Sequence, residues 1–321
     1  MQAVAQRLVV VLLLACWPAL SQAQTFPNGA INIVVPLAPG DAADTTVRLL
    51  AEEIAKTLRT LVTVTNRPGA GGALGTNTVV QAKKDGQTIL FVQNSALTFR
   101  PVIEAQTVSY DPERDLVPLG ISSRTPSLLV VRSDAPYRTL ADLIEQAKKD
   151  PGSVRIGHPG AGSVGDFCIQ LINALTGAQL LAVPYAGASP AVTALRGGHI
   201  EGVVLALGAL SGQIKAGALR GLVASGRVPE LPDLRTMREL GYREDLFGIW
   251  FSFLAPAGIP EDARSALVGA IEQAVKAPAI AARLAPLGIL QSHATPEQQT
   301  GETRDELNRV SELAKRTGIV K

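Results

Sequence analysis

The chain has 321 residues, 46% hydrophobic and 18% charged, with 30 basic residues against 28 acidic ones. That length suits two domains with full cores, and the near-neutral balance argues against an electrostatic nucleic-acid binder. Two cysteines and three scattered histidines leave no basis for a disulfide scaffold or a Cys/His metal site, and 4% aromatics none for a base-stacking platform.

Arg7 is followed by an apolar run, Leu8 to Cys16, then Pro18 and the small-residue exit Ser21-Gln22-Ala23. A basic start, an apolar core and a small-x-small end predict a secretory signal peptide over 1–23, cleaved after Ala23. The run is too short to span a bilayer, which takes roughly 20 residues. Leu13-Leu14-Ala15-Cys16 also resembles a lipobox, so a lipid anchor at Cys16 is the alternative. Cys168 is then the one cysteine of the body, expected on a buried helix face.

Beyond the signal, strands and helices alternate, the pattern of α/β folds. Ile31 to Val35 reads as a strand and Pro36 to Ala43 as a loop. Val47, Leu50, Ile54 and Leu58 then mark one face of a helix, with Asp44 where an N-cap would be. Val62 to Thr65 is a strand, a glycine-rich turn leads to a helix near Leu74 to Ala82, and Thr88 to Val92 is a strand. Val117 to Ser122 and Leu128 to Arg132 are strands, and Thr139 caps a helix running to Lys149. Val154 to Gly157 is a strand, with a helix from about Gly165 to Leu175. Leu180 to Pro184 (strand), Pro190 to Arg196 (helix), Gly202 to Leu207 and Leu219 to Ala224 (strands) follow. A helix is predicted around Leu234 to Leu240, a strand at Trp250 to Leu254, and helices at Glu261–Lys276, Pro278–Leu287 and Pro296–Lys315.

Two strand-to-helix loops carry the chemistry. Gly160-Ala161-Gly162-Ser163-Val164-Gly165 matches G-x-G-x-x-G in the right context, but the next strand ends Ala182-Val183-Pro184-Tyr185, without the acid a dinucleotide's ribose needs. A glycine-rich turn feeding a helix N-terminus still presents N–H groups and a positive dipole end to a carboxylate. Ser163 sits near a nucleophile-elbow pattern, and His293 could complete the order, yet no aspartate presents itself as the third member and His293 reads as a polar turn. The second loop is Pro39-Gly40-Asp41-Ala42-Ala43-Asp44: one aspartate can cap, and the other would oppose an anion. His158 and His199 read as structural. Tyr185 can wall a pocket.

Several stretches resemble the extracytoplasmic solute receptors of the tripartite tricarboxylate transporter system, the Bug family. They are Ile33-Val34-Val35-Pro36-Leu37-Ala38-Pro39-Gly40 with Asp44; Asn66-Arg67-Pro68-Gly69-Ala70-Gly71-Gly72 with Gly75; Asp85 to Leu90; Tyr110-Asp111-Pro112 with Asp115 to Pro118; Val183 to Gly187; Ile214 to Gly217; and Leu254 to Pro260. The likeness spans about Phe26 to Val320. It implies a type II periplasmic-binding fold, two α/β lobes joined by crossing strands around a ligand cleft. Lobe 1 would hold 24–124 and 226–321, and lobe 2 residues 125–225. It implies capture of a small carboxylate-type metabolite by lobe closure, delivery to integral membrane transporter subunits, a periplasmic monomer, no cofactor, no metal and no catalysis. An enzyme using Ser163, or a ligand sensor for a membrane partner, are the alternatives.

The family's ligand loops map onto Leu37, Ala38, Gly40, Asp41 and Asp44; Asn94 and Ser95; Gly160, Ala161, Gly162, Ser163 and Val164; Tyr185; and Ala206. Four departures stand out: Asp41 replaces a glycine, Asp166 a frequent histidine, Ala186 a cation, and the acid often near Leu205 and Ala206 is absent. An added carboxylate in a cleft opposes an anion. The expectation is a ligand with a neutral or cationic end rather than a tricarboxylate.

Overall fold

Short β-branched runs and amphipathic helices alternate as the spacing predicts. The computed structural model describes residues 26–69 and 72–320. The predicted export signal, with its apolar run and Cys16, lies outside the described residues, as do Ala70 and Gly71. Strand β1 (Ile31–Val35) enters helix α1 (Ala42–Leu58), β2 (Val62–Asn66) enters α2 (Ala73–Val80), and β3 (Thr88–Gln93) enters two single-turn helices, α3 (Ser95–Thr98) and α4 (Arg100–Ile103). Then come β4 (Leu116–Thr125), β5 (Ser127–Arg132), α5 (Leu140–Lys149), β6 (Arg155–His158), α6 (Val164–Thr176), β7 (Leu181–Pro184), α7 (Ala188–Arg196) and β8 (Gly202–Ala206). The rest is α8 (Leu207–Lys215), β9 (Leu219–Ala224), β10 (Ile249–Pro256), α9 (Glu261–Lys276), α10 (Pro278–Leu284), β11 (Leu290–Ala294) and α11 (Pro296–Thr317).

The strands form two sheets. One runs β11-β4-β10-β3-β1-β2, the other β7-β6-β8-β5-β9. In each, a parallel core is joined by antiparallel strands: β10 opposes β3 and β4, and β5 opposes β8 and β9. The chain is therefore two mixed α/β lobes, as the resemblance implies. It passes between them twice, from β4 to β5 through Pro126 and from β9 to β10 through residues 225–248. The links are stitched together. The Ser127 N–H donates to Ser225 Oγ (3.0 Å), and the Ser127 hydroxyl donates to the Phe247 carbonyl (2.6 Å). Beside them Phe99, Phe167 and Phe247, from the first lobe, the second lobe and the second link, meet edge to face at 5.1–5.5 Å between ring centres. One apolar core consequently runs through the junction.

The apolar face read for α1 is buried at Val47, Leu50 and Ile54. Its N-cap is Asp41, not Asp44, because Asp41 is the last residue with extended backbone and its Oδ1 accepts the Ala43 N–H (3.1 Å). Thr139 caps α5 in a reciprocal capping box with Asp142. Cys168 is fully buried on α6, and burial pushes its thiol up to about 12.

Three readings change. Residues 234–240 are turns, not a helix: Leu234 lies against Gly221, the Ala224 N–H donates to the Arg235 carbonyl (3.0 Å), and Thr236 bridges Ala224, so the segment runs beside β9. His293 is in β11, on the edge of the first sheet, rather than in a turn. The helix α8 has no strong propensity signal; Gly208 lets it approach Ile289, where a Cβ would come within 3.0 Å.

Gly165 opens α6 where a Cβ would sit 2.4 Å from the Val204 carbonyl oxygen, so only glycine allows this helix to lie on β8. Gly165→Ala should lower the urea midpoint at unchanged m, a loss of about 1–3 kcal/mol. Gly269→Ala in α9, where a side chain meets nothing within 4 Å, should gain about 0.5–1 kcal/mol. Equal midpoints for the two variants would contradict the packing account.

Candidate functional site

Each parallel strand that ends at the junction turns into a helix there. The helices α1, α6, α7 and α8 begin at Ala42, Val164, Ala188 and Leu207, after β1, β6, β7 and β8. Their starts surround a narrow gap between the lobes. Asp41, Ala42 and Gln93 line it from the first lobe, with Ile249 and Phe251 of β10. From the second come Pro159, Ser163, Val164, Gly165, Ala188, Val204, Leu205, Ala206 and Ala209, with Ser127 at the start of β5. The lobes are closed on one another. The gap admits water-sized spheres over only about 20 Å³, room for about one water molecule.

The two loops read from the sequence fold alike. In the first, the Gly40 N–H donates to Asp44 Oδ2 (2.9 Å), with Gly40 in the left-handed region at φ +82°. In the second, the Gly162 N–H donates to Asp166 Oδ2 (2.8 Å), with Gly162 at φ +70°. Each aspartate thus lies within the first turn of its helix and occupies one donor of the preceding loop. Asp44 is further held by the Arg48 Nε (3.0 Å) and the Asn66 Nδ2 (2.9 Å). Its burial would raise the carboxyl, but Arg48, the Gly40 N–H and Asn66 outweigh that and hold it below the ordinary aspartate value. Asp166 also accepts from Gln170 (2.9 Å). Neither carboxylate is among the residues that line the gap.

Asp41 does line it. Loss of water around its carboxyl, opposed by the Ala43 N–H and reinforced by the Asp44 charge, raises it from 3.8 to about 6. Ser163 is the N-cap of α6, its Oγ accepting the Asp166 N–H (3.2 Å). The helices α7 and α8 have no side-chain cap; their caps are Gly187 and Ala206. Four helix N-termini therefore converge on one gap, two of them without a side-chain acceptor, and no Lys, Arg or His is among the described residues that line it. Such a site grips an anion with peptide dipoles rather than with a cation.

Of the residues picked from the sequence, the gap brings together Asp41, Ser163, Val164 and Ala206. Ala38 stands at its rim, 3.7 Å from where Gly187 would carry a Cβ, and Gly40, Gly160, Ala161 and Gly162 shape the two loops. Leu37 is buried and gives its carbonyl to Asn66 (3.0 Å). Asn94 and Ser95 do not line the gap. Asn94 is fully buried with its amide on the Gly248 carbonyl (3.2 Å) and the Glu306 carboxylate (3.0 and 3.1 Å). Tyr185 lies with its ring edge over Gly157, on the second sheet.

Gln93, Ala188 and Leu205 line the gap and were not picked as ligand residues. All stand at or just beyond the ends of strands, where open α/β sheets place ligands, and that rule could have found them. Ile249, Phe251 and Ser127 come from the crossing strands and leave no local signal. The hydrolase pairing is not formed: Ser163 caps a helix, His158 Nδ1 lies on the Gly160 carbonyl (3.0 Å), and His293 sits on the outer strand β11. Burial lowers both histidines below their ordinary value.

A family model described as "Tripartite tricarboxylate transporter family receptor" matches residues 46–319. The chain belongs to this family. It is 33% identical over 298 residues to Protein BugT of Bordetella pertussis, covering 92% of this chain and 91% of BugT. The solved structure of periplasmic binding protein BugD superposes with a TM-score of 0.85 at 30% identity, over 92% of this chain and 99% of that one. MatC from Rhodopseudomonas palustris, solved with bound malate, gives 0.84 at 28% identity, over 90% and 99%. As a receptor of this family, the chain is a periplasmic-type solute-binding protein built for transport.

Because the folded protein holds the Asp41 proton more tightly than the unfolded chain, this group favours folding in acid and loses that advantage as pH rises from 3.8 to about 6. Asp41→Asn keeps an acceptor for the cap and removes the titration. The variant should therefore gain on the parent by about 1–3 kcal/mol between about pH 4 and about pH 7, read by urea denaturation. A constant difference across that range would contradict the burial of this carboxyl.

Proposed function

We propose that this receptor captures a small carboxylate-bearing metabolite between its lobes and delivers it to a tripartite tricarboxylate-type membrane transporter. The observation that carries the ligand class is the convergence of four helix N-termini on a gap lined by Asp41, Gln93, Ser127 and Ser163 and otherwise by apolar groups. Bound malate in the MatC structure supports it. A gap that admits about one water is too small for any dicarboxylate, so the lobes must part to load it. We take 125–126 and 225–248 as the links that flex, and the two sheets with their helices as the bodies that move.

Asp41 narrows the ligand. Its carboxyl faces the gap beside two uncapped helix starts, so a ligand with one carboxylate and a neutral or cationic far end fits better than a tricarboxylate. The ligand is bound and not turned over: Ser163, the nucleophile candidate, has its oxygen engaged as a helix cap, and no hydrogen bond joins its hydroxyl to a histidine or carboxylate among the described residues. Export through the 1–23 signal with cleavage after Ala23, and action as a monomer, complete the reading.

A thermal-shift screen of di- and tricarboxylates, amino acids, and aromatic acids and amides tests it. A ligand at 100 times its Kd stabilises by about 2.7 kcal/mol, a rise of roughly 4–5 °C at this size. Carboxylates lacking an amine should bind more tightly at about pH 5 than at about pH 7.5, because protonated Asp41 no longer repels them. Amine-bearing ligands should show the reverse, and Asp41→Asn should flatten both trends. Asp41→Gly should shift preference toward citrate-like ligands. An unchanged ranking would sink the role given to Asp41, and turnover of any ligand would sink the receptor reading.

A further inference from the structure

Arg100, in α4 of the first lobe, reaches across to the ligand loop of the second. It is only 2% exposed, yet both acceptors of its guanidinium are neutral. Its Nη1 donates to the Ala161 carbonyl at 2.5 Å, across the lobe boundary, and its Nη2 to the Thr107 hydroxyl at 3.0 Å, within its own lobe. Its Nε is buried with no partner. The aliphatic stem fills the space beside Gly162, where a Cβ would lie 2.8 Å from Arg100 Cγ and 3.1 Å from Glu104 Cγ.

We propose that Arg100 is a positioning residue that latches the lobes, holding the Ala161–Gly162 turn against the first lobe and favouring the closed form. This rests on the reading that the lobes open and close. The physical asymmetry gives the direction. The Thr107 bond lies within the first lobe, so it persists when the lobes part. Opening breaks the Ala161 bond, and the exposed Ala161 turn exchanges a short, charge-assisted partner for water. A hydrogen bond to a charged group favours the closed form by about tenfold or more. The same contact seats the Gly160–Ser163 loop, so the latch also sets the geometry of the α6 start in the gap.

The test needs no ligand. Spin labels go on Thr78 of α2 and Arg196 of α7, one exposed site on each lobe, in the mature chain from Gln24 onward, which lacks Cys16. Buried Cys168, with its thiol pushed up to about 12, takes no label. Pulsed electron–electron distance distributions are then compared for the parent and for Arg100→Met, Arg100→Lys and Gly162→Phe, each first shown to unfold cooperatively. Arg100→Met should move at least half of the population to longer distances. Arg100→Lys, which keeps a charged donor for Ala161, should restore part of the short population, which a merely space-filling role would not. Gly162→Phe has no room against Arg100 and Glu104 and should force the lobes apart in any case. If Gly162→Phe lengthens the distances and Arg100→Met does not, the latch is overturned and hinged closure stands. If neither does, the lobes do not move and both readings fall.

Discussion

The Pro126–Ser127 step is where the two sheets meet, and the position of everything functional follows from it. Proline has no N–H to give either sheet, so the ladder breaks there and the chain leaves one lobe for the other. Ser127 then ties the first crossing to the second through Ser225 and the Phe247 carbonyl. With the crossings side by side, both parallel cores must point their carboxyl ends toward the same line. The helices α1, α6, α7 and α8 start beside that line, and the gap forms between their starts.

This arrangement decides the electrostatics before any particular side chain does. On the proposed reading, anion affinity comes from peptide N–H groups, which cannot be titrated away. The acidic residues then tune it. Asp44 and Asp166 turn inward to satisfy their own loops and take up donors that would otherwise be free. Asp41 caps its helix and still lines the gap, so on the proposed reading its carboxyl carries the pH response of the site.

Much of this was legible in the sequence. The β-branched runs of β1 and β3, the apolar face of α1, the Thr139 cap and the glycine-rich loop before α6 all declare themselves locally, and the loops point to Asp41 and Ser163. What stayed hidden depends on distant partners. Asn94 looks like a ligand group at a strand end, but Glu306, far along the chain on α11, holds its amide. Residues 234–240 have helical spacing, yet β9 offers the segment an extended edge beside Gly221. The helix α8 contains two glycines and forms because Gly208 lets it pack against Ile289. Ile249 and Phe251 reach the gap only because β10 crosses back beside β3.

The three phenylalanines at the junction give the molecule a bearing. Edge-to-face rings hold one another without a hydrogen bond, at the spacing such pairs prefer. On the proposed opening of the lobes, the two bodies roll about Phe247 while the apolar contact stays dry, much as a ball turns in its socket. Arg309, stacked 4.5 Å over the outer face of the Phe247 ring, shields that socket from solvent. Rotation of this kind exposes little greasy surface, so it carries a small heat-capacity change, and its speed is set by the breaking of the few polar contacts at the rim.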